Sequence, residues 1–152
     1  MKLKGRFHFE HFRDGNKLAD RDVNNIIVNG GFAEVASFIV FGSTAPFAYI
    51  AIGTNTQGAS STDTALYTEL TSGGAARALA TASRVTTDVT NDTAQLVNTF
   101  TFTTSSSYDI AEAAVFNAVT TSSGTMLCRQ TFTPITVVSA DTLQVTYRLD
   151  ID

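Results

Sequence analysis

Two histidines close to the start of the chain, His8 and His11, are among the residues best suited to chemistry. His8 and Glu10 would share one face of an extended strand and could bind a metal ion together, but His11 would lie on the opposite face. No cysteine or second acidic cluster nearby completes a tetrahedral ligand set. The spacing therefore favours surface polar residues over a metal site. A serine or cysteine hydrolase is disfavoured too, because no Gly-x-Ser-x-Gly motif occurs.

Glu112 is the second candidate for chemistry, because it interrupts an apolar run at residues 110–116. Glycosidase-type catalysis would require a second carboxylate. The available carboxylates are Glu34, Glu69 and Asp109. A buried carboxylate is costly unless it is paired. The arginines that could pair with it are Arg77, Arg84 and Arg129. We predict a structural ion pair of Glu112 with Arg129 or Arg84 rather than a catalytic acid.

The charges that surround these residues are unevenly divided along the chain. Residues 1–22 carry six of the ten basic side chains and four of the 14 acids, which gives net charges of +2 there and −6 in the remainder. Charged residues make up only 16% of the chain, against about 25% in an average globular protein. A basic leading segment on a weakly charged, Thr- and Ser-rich body predicts attachment to something larger. The pI near 5.0 disfavours nucleic-acid binding by the body.

Cysteine usage and hydropathy narrow the class of protein further. A single cysteine, Cys128, excludes an internal disulfide framework, and its apolar surroundings predict a small core residue. Residues 1–12 lack the apolar region of a secretory signal, and the longest apolar stretch, residues 38–41, is far too short to cross a bilayer. We therefore expect synthesis in the cytosol and no contact with a membrane.

Most of the chain alternates apolar and polar residues in short runs that are separated by Ser, Gly and Asp turns. This pattern predicts an antiparallel β-sandwich or barrel-like, jelly-roll-like domain with one α-helix. Beyond the first 25 residues, the predicted strands cover residues 47–52, 77–87, 94–103, 110–119, 126–135 and 143–151. A single helical turn is also predicted at residues 65–70.

The helix is predicted at residues 31–41. Phe32, Val35, Ala36 and Ile39 follow the i, i+3, i+4, i+7 spacing of an amphipathic helix, so we expect this face to pack against the sheet. Further apolar residues widen the apolar surface beyond what one sheet usually covers. We therefore expect the helix to lie between the sheet and a partner.

Residues 1–25 are predicted to form an N-terminal arm or β-hairpin that precedes a body at residues 26–152. Alternation over residues 2–12 predicts a strand, and Asp14-Gly15-Asn16 predicts a tight turn. The candidate attachment residues of the arm are Lys2, Lys4, Arg6, Phe7, Phe9 and Phe12. Aromatic residues between basic ones also suit single-stranded nucleic acid. Because the body offers no basic groove, we favour attachment to protein by strand addition.

Several segments resemble small virion structural proteins of tailed bacteriophages. They are Phe47-Ala-Tyr-Ile-Ala-Ile-Gly53, Asp63-Thr-Ala-Leu66 followed by Glu69 and by Arg77 or Arg84, Ile110-Ala-Glu-Ala-Ala-Val-Phe116, Gly124-Thr-Met-Leu-Cys-Arg129-Gln-Thr-Phe132 and Asp141-Thr-Leu-Gln-Val-Thr-Tyr147. The resemblance spans most of the chain through loose β-strand patterns. That pattern usually reads Ala-Gly-Leu-Phe after Glu112, where this chain has Ala-Ala-Val-Phe.

The resemblance implies a non-enzymatic virion component without a cofactor. Both capsid decoration (cement) proteins and tail, collar or fibre-associated proteins show the pattern, and the absence of a long fibre repeat favours decoration. The implied partners are the major capsid protein and further copies of the chain, with a trimer favoured over a dimer. The implied location is the capsid exterior, after synthesis in the bacterial cytoplasm. A carbohydrate-binding module is a further hypothesis, which the absence of Trp disfavours.

Overall fold

The computed structural model describes residues 2–42 and 45–152. In chain order its elements are β1 (Leu3–Arg13), β2 (Asn16–Asn24), β3 (Ile26–Ile27), α1 (Asn29–Phe41), β4 (Tyr49–Gly53), β5 (Ala78–Leu79), β6 (Thr81–Val85), β7 (Thr93–Thr101), β8 (Tyr108–Phe116), β9 (Met126–Val137) and β10 (Thr142–Ile151). The predicted mainly β class with one helix is confirmed. The predicted helical turn at residues 65–70 is not formed, because that part of the chain is irregular.

The strands form two five-stranded antiparallel sheets. Sheet A has the order β2-β1-β10-β7-β6, and sheet B has the order β3-β9-β8-β4-β5. The chain passes from one sheet to the other at both edges, through Asn25 between β2 and β3 and through Ala80 between β5 and β6. In the part of the chain that the structure describes, the strands at these edges, which are β2 and β6 in sheet A and β3 and β5 in sheet B, each have a hydrogen-bonded neighbour on one side only.

The core lies between the two sheets and follows the period of two within each strand. In β10, Leu143, Val145 and Tyr147 are buried. The aromatic rings of Phe9 in sheet A and Phe132 in sheet B lie 4.2 Å apart between centroids. Contacts of this kind between aromatic rings help to fix the spacing of the two sheets.

Residues 1–25 were predicted to form an arm or a β-hairpin, and β1 and β2 do form a hairpin, but it belongs to sheet A and is not a separate arm. β1 lies inside sheet A, paired with β10 from Leu3↔Ile151 to Phe12↔Thr142 and with β2 on its other side. The predicted turn is present, with positive φ at Asp14 and Gly15, and β2 continues beyond it to Asn24. The alternation of apolar and polar residues in β1 correctly indicated a strand with one buried face. That face is buried by the rest of the same chain and not by a partner protein.

The helix lies where it was predicted, but its predicted inner face is only partly covered. Phe32 and Ile39, expected to face the sheet, are exposed, and Gly31 is the one buried residue of α1. A Cβ atom at Gly31 would lie 2.3 Å from the backbone oxygen of Leu127 in β9. The helix backbone therefore approaches the sheet on its glycine side, where Val35 also packs against the core, and Phe32, Ala36 and Ile39 are left exposed.

Candidate functional site

A buried ion network lies on the face of sheet B that is turned away from the core between the sheets. The β8–β9 register shifts between Ile110 and Glu112, and β-bulges of this kind re-aim side chains. Glu112 is thereby directed under the irregular segment at residues 54–77, which covers this face. Both faces of sheet B are consequently buried, which explains the apolar run around Glu112.

Arg129 is the centre of this network, and its side chain is fully buried. Its Nε and Nη2 atoms donate to Glu112 Oε2 at 3.0 and 2.8 Å, and its Nη1 atom donates to Asp63 Oδ2 at 3.0 Å. The backbone oxygens of Gln57 and Gly58 accept further hydrogen bonds from the guanidinium. One cation thus connects strands β8 and β9 to the 54–77 segment.

Glu112 has no spare capacity for catalysis. Besides the two bonds from Arg129, it accepts hydrogen bonds from the backbone N–H groups of Tyr67 at 3.2 Å and Thr68 at 2.8 Å. A general acid or base must reach its substrate by a hydrogen bond, and this carboxylate is fully buried. The arrangement is a structural clamp, and it contains the predicted pairing of Glu112 with Arg129.

Asp63 and Tyr67 complete the clamp from the covering segment. The Tyr67 hydroxyl donates to Asp63 Oδ1 at 2.9 Å, and its ring lies 4.3 Å from the Arg129 guanidinium. Burial opposes ionisation of Asp63, but hydrogen bonds from Ser60, Tyr67 and Arg129 outweigh it and lower the pKa of this carboxyl. The hydrogen bond to Asp63 raises the pKa of Tyr67.

A second pair fastens the end of the same segment. Arg77 donates through Nε and Nη2 to the two carboxylate oxygens of Glu69 at 2.9 and 2.8 Å. Its guanidinium also lies 3.6 Å from the ring centroid of Phe116 and donates to the backbone oxygens of Ala118 and Thr120. This bidentate, stacked geometry is what arginine provides and lysine does not.

Arg84, the alternative partner predicted for Glu112, lies elsewhere. It is exposed on β6 at the edge of sheet A, whereas Glu112 belongs to sheet B. The prediction for Arg84 is wrong because strand pairing separates the two residues. Cys128 is buried in the core, and burial raises the pKa of its thiol to about 12, so the nucleophilic thiolate is disfavoured.

The two histidines lie on opposite faces of β1. Buried His11 is 2.8 Å from Asp141, which also accepts two hydrogen bonds from Arg13 and one from the Val138 N–H group. The hydrogen bonds from Arg13 are the largest cause of a lowered pKa at Asp141. This second cluster fastens the end of β1 to the β9–β10 turn.

The outer face of sheet A holds His8 together with acidic residues of β2. The His8 Nδ1 atom lies 3.2 Å from Asp22, and Asp20 is close enough for the three residues to offer ligand atoms within 4.8 Å of one another. Arg6 pairs with Asp22 and Lys17 pairs with Asp20. Cations thus already neutralise both carboxylates, and the group is a surface network.

The structure divides the predicted attachment residues into two groups. Phe7 and Phe9 are fully buried in the core, so the prediction that their side chains bind a partner is wrong. Phe12 is half-buried, with Lys17 Nζ 5.8 Å from its ring centroid. Three exposed residues remain as a predicted attachment stripe: Lys2, Lys4 and Arg6.

Among the described residues, α1 holds four of the large exposed apolar side chains, more than any other element. We call the exposed side chains on one side of this helix the α1 face, which comprises Phe32, Ala33, Ala36, Ile39 and Val40. Phe41 is exposed at the end of the helix, about 140° around its axis from Ala36. The exposed fractions are 49% for Phe32, 68% for Ile39, 70% for Val40 and 83% for Phe41. None of these residues is charged. The signal in the sequence was a helix too apolar to be covered by one sheet.

No family model, no curated protein and no solved structure matches this chain. The resemblance to virion proteins therefore stays a prediction from the sequence. Within residues 2–42 and 45–152, no helix has the length and apolar character needed to cross a membrane.

Proposed function

We propose that this chain is a non-enzymatic structural protein of a tailed-bacteriophage virion, and specifically a capsid decoration protein that binds and stabilises the assembled head as a homo-oligomer. The observation that carries the proposal is the α1 face. Contiguous exposed apolar surface on a globular protein marks a contact with another protein or a comparable surface. We therefore assign the chain to proteins that act by contact.

The use of charged side chains supports the same conclusion. Every acidic, basic or histidine side chain that the described part of the chain buries lies within 3.0 Å of a partner of the opposite type. The buried residues are His11, Asp63, Arg77, Glu112, Arg129 and Asp141. Paired and hydrogen-bonded charges hold a fold together, whereas catalysis requires a group that is accessible to its substrate. The network therefore favours a rigid building block.

The assignment to a virion rests on the resemblance, and the structure gives its motifs a physical meaning. The quoted segments contain the network residues: Asp63, Glu69, Arg77, Glu112 and Arg129. These residues clamp the 54–77 segment onto sheet B. In this chain the quoted residues hold the fold together, which is what a structural protein requires. Many weak contacts repeated over a shell would give such a protein strong overall binding.

Co-sedimentation with capsids tests the proposal. Purified full-length protein is mixed with shells assembled from the major capsid protein of the same phage, and separately with isolated tails. Saturable pelleting with shells is the expected result. Pelleting with tails alone would replace decoration by a tail, collar or fibre role, and pelleting with neither would overturn the virion proposal.

Charge-reversal variants then test the predicted attachment stripe. The double variant Lys2→Glu, Arg6→Glu should weaken shell binding, because reversal changes the rim charges that steer association. Arg84→Glu, at an exposed position on β6, is the matched control and should bind as the unaltered protein does. Deletion of residues 2–22 would not be informative, because it removes an inner strand of sheet A.

A further inference from the structure

Two arginines face each other across strands β1 and β10 on the outer face of sheet A. Arg6 and Arg148 are directly opposite in the register of the two strands, and both side chains are exposed. Opposite residues have Cβ atoms about 4.5–5.5 Å apart, so like charges at such a pair destabilise a sheet. The protein therefore holds two cations together where strand pairing alone would favour neutral or opposite charges.

The side chains around the two arginines leave much of this charge uncompensated. Arg6 approaches Asp22 through Nε at 3.5 Å, and that carboxylate also lies 3.2 Å from His8. Arg148 donates through Nε to the neutral Gln95 at 2.8 Å, and it forms no ion pair with a carboxylate of the described residues. Within the same residues, the Nη atoms of both guanidiniums have no hydrogen-bond acceptor. These donors are available to a ligand.

Lys4, the next basic residue along this face of β1, is already engaged. Its ammonium group donates to Asp152, and that hydrogen bond raises the pKa of Lys4. Arg148, which the sequence did not single out, is the cation that the fold places beside Arg6. The pair lies across two strands and not along the stripe of β1.

The two arginines lie between two shallow depressions that differ in charge. The depression towards His8 is also lined by Glu10 and Asp22, so its charges balance. Three cations and one carboxylate line the other depression: Lys4, Arg6, Arg148 and Asp150. Thr86 lines it as well, and its Oγ1 atom accepts a hydrogen bond from the Asn91 N–H group at 3.2 Å. The hydroxyl proton of Thr86 can therefore be donated to an anion in this depression.

We propose that Arg6 and Arg148 together bind a carboxylate side chain of a partner protein in the depression beside Lys4. The inference rests on the proposed function, and it names the partner group as an acidic residue on the outer surface of the capsid shell. A carboxylate accepts about four hydrogen bonds, and arginine donates to it in a bidentate geometry. One carboxylate can thus take up both guanidiniums and remove their mutual repulsion.

The surroundings of the pair favour a single carboxylate over an extended polyanion. Acidic side chains lie on both sides of the two arginines, with Glu10 in one depression and Asp150 in the other. The whole chain carries a net charge of −4. A nucleic-acid backbone crossing this face would meet those acids, whereas one carboxylate occupies only the gap between the arginines.

A titration of the full chain with an acidic peptide tests the pair without any capsid. The probe is hexaglutamate with blocked ends, followed by the Nε–H resonances of arginine in NMR spectra. A saturable shift at Arg6 and Arg148 is expected, and Arg148→Gln should abolish the shift at Arg6. Arg84→Gln, at an exposed position of β6, removes the same charge and should leave the shift intact. No shift with hexaglutamate would overturn the inference, as would a tighter response to inorganic phosphate.

Co-sedimentation with shells tests the partner. Arg148→Gln should weaken shell binding more than about 10-fold, as loss of a central interface arginine does, and Arg84→Gln should bind as the unaltered protein does. Amidation of the shell carboxylates with carbodiimide and glycinamide should weaken binding of the unaltered protein to the same extent. Circular dichroism verifies that both variants are folded.

The outcomes separate this inference from the proposed function. Equal pelleting of Arg148→Gln and the unaltered protein would overturn the inference and retain capsid decoration, as would unchanged binding to amidated shells. Peptide binding at the two arginines without pelleting on shells would retain the carboxylate site and refute capsid decoration.

Discussion

Replacing Arg129 by methionine tests whether the buried network holds the 54–77 segment on sheet B. Methionine keeps an unbranched apolar stem but removes every donor. Glu112 loses its bonds at 2.8 and 3.0 Å, and Asp63 loses its bond at 3.0 Å. Both carboxylates then remain buried without their cation, and each retains only neutral donors from the covering segment.

The expected loss in the free energy of unfolding is large. Breaking a buried ion pair by removing one partner costs about 3–5 kcal/mol, because an uncompensated charge remains in the interior. The free energy of unfolding of a small domain is about 5–15 kcal/mol in total. Arg129→Met should therefore remove a large part of it. The loss should shrink under mildly acidic conditions, because an uncompensated buried carboxylate takes up a proton more readily.

Urea denaturation followed by far-ultraviolet circular dichroism provides the assay, since the chain has no tryptophan to report by fluorescence. Linear extrapolation gives the free energy of unfolding, and an unchanged slope would show that a two-state comparison is valid. Arg84→Met makes the same chemical change at an exposed position and should stay within about 0.5 kcal/mol of the unaltered protein. Adding Glu112→Gln to Arg129→Met should recover part of the loss.

A single result would refute this reasoning. If Arg129→Met differed from the unaltered protein by less than about 1 kcal/mol at neutral pH, the network would not fasten the covering segment. Equal losses for Arg129→Met and Arg84→Met would lead to the same conclusion, because burial and pairing would then have no measurable effect.

Two further substitutions test other parts of the fold. Asp141→Asn should lower the thermal midpoint at neutral pH, and the difference should shrink below pH 3.8, because Arg13 lowers the pKa of Asp141 from 3.8 and the stability gained is lost as that carboxyl is protonated. A difference that is constant across pH in thermal melts would contradict this. Gly31→Ala should cost about 1–3 kcal/mol in urea denaturation, since its Cβ atom would lie 2.3 Å from Leu127 O. Gly30→Ala should stay within about 1 kcal/mol, and equal effects would show that close helix–sheet approach is unimportant.

The buried ion network around Arg129 shows how much of a site can be predicted from residue types alone. A carboxylate inside an apolar run requires a cationic partner, and this argument was sufficient to select Arg129 as one of two partners for Glu112. It could not choose between Arg129 and Arg84. That choice depends on which strands pair, since β9 lies beside β8 whereas β6 lies in the other sheet.

The sequence by itself determined the periods of the elements. Alternation identified most of the strands, and the spacing of apolar residues located α1, because local backbone geometry repeats every two residues in a strand and about every 3.6 in a helix. It missed β3, and the strand predicted at residues 77–87 is in fact two short strands in different sheets, β5 and β6. These patterns are local, so they need no knowledge of distant residues.

Only the tertiary structure decided which surface covers each apolar face. Leu3 pairs with Ile151 across nearly the whole chain, and this pairing makes β1 an inner strand instead of an arm. Gly31 allows α1 to approach β9 on its glycine side, and this leaves Phe32, Ala36 and Ile39 of the helix stripe exposed. The spacing of apolar residues shows which face of a strand or helix is apolar. The surface that covers this face is set by contacts between residues far apart in the chain, and the local spacing does not reveal those contacts.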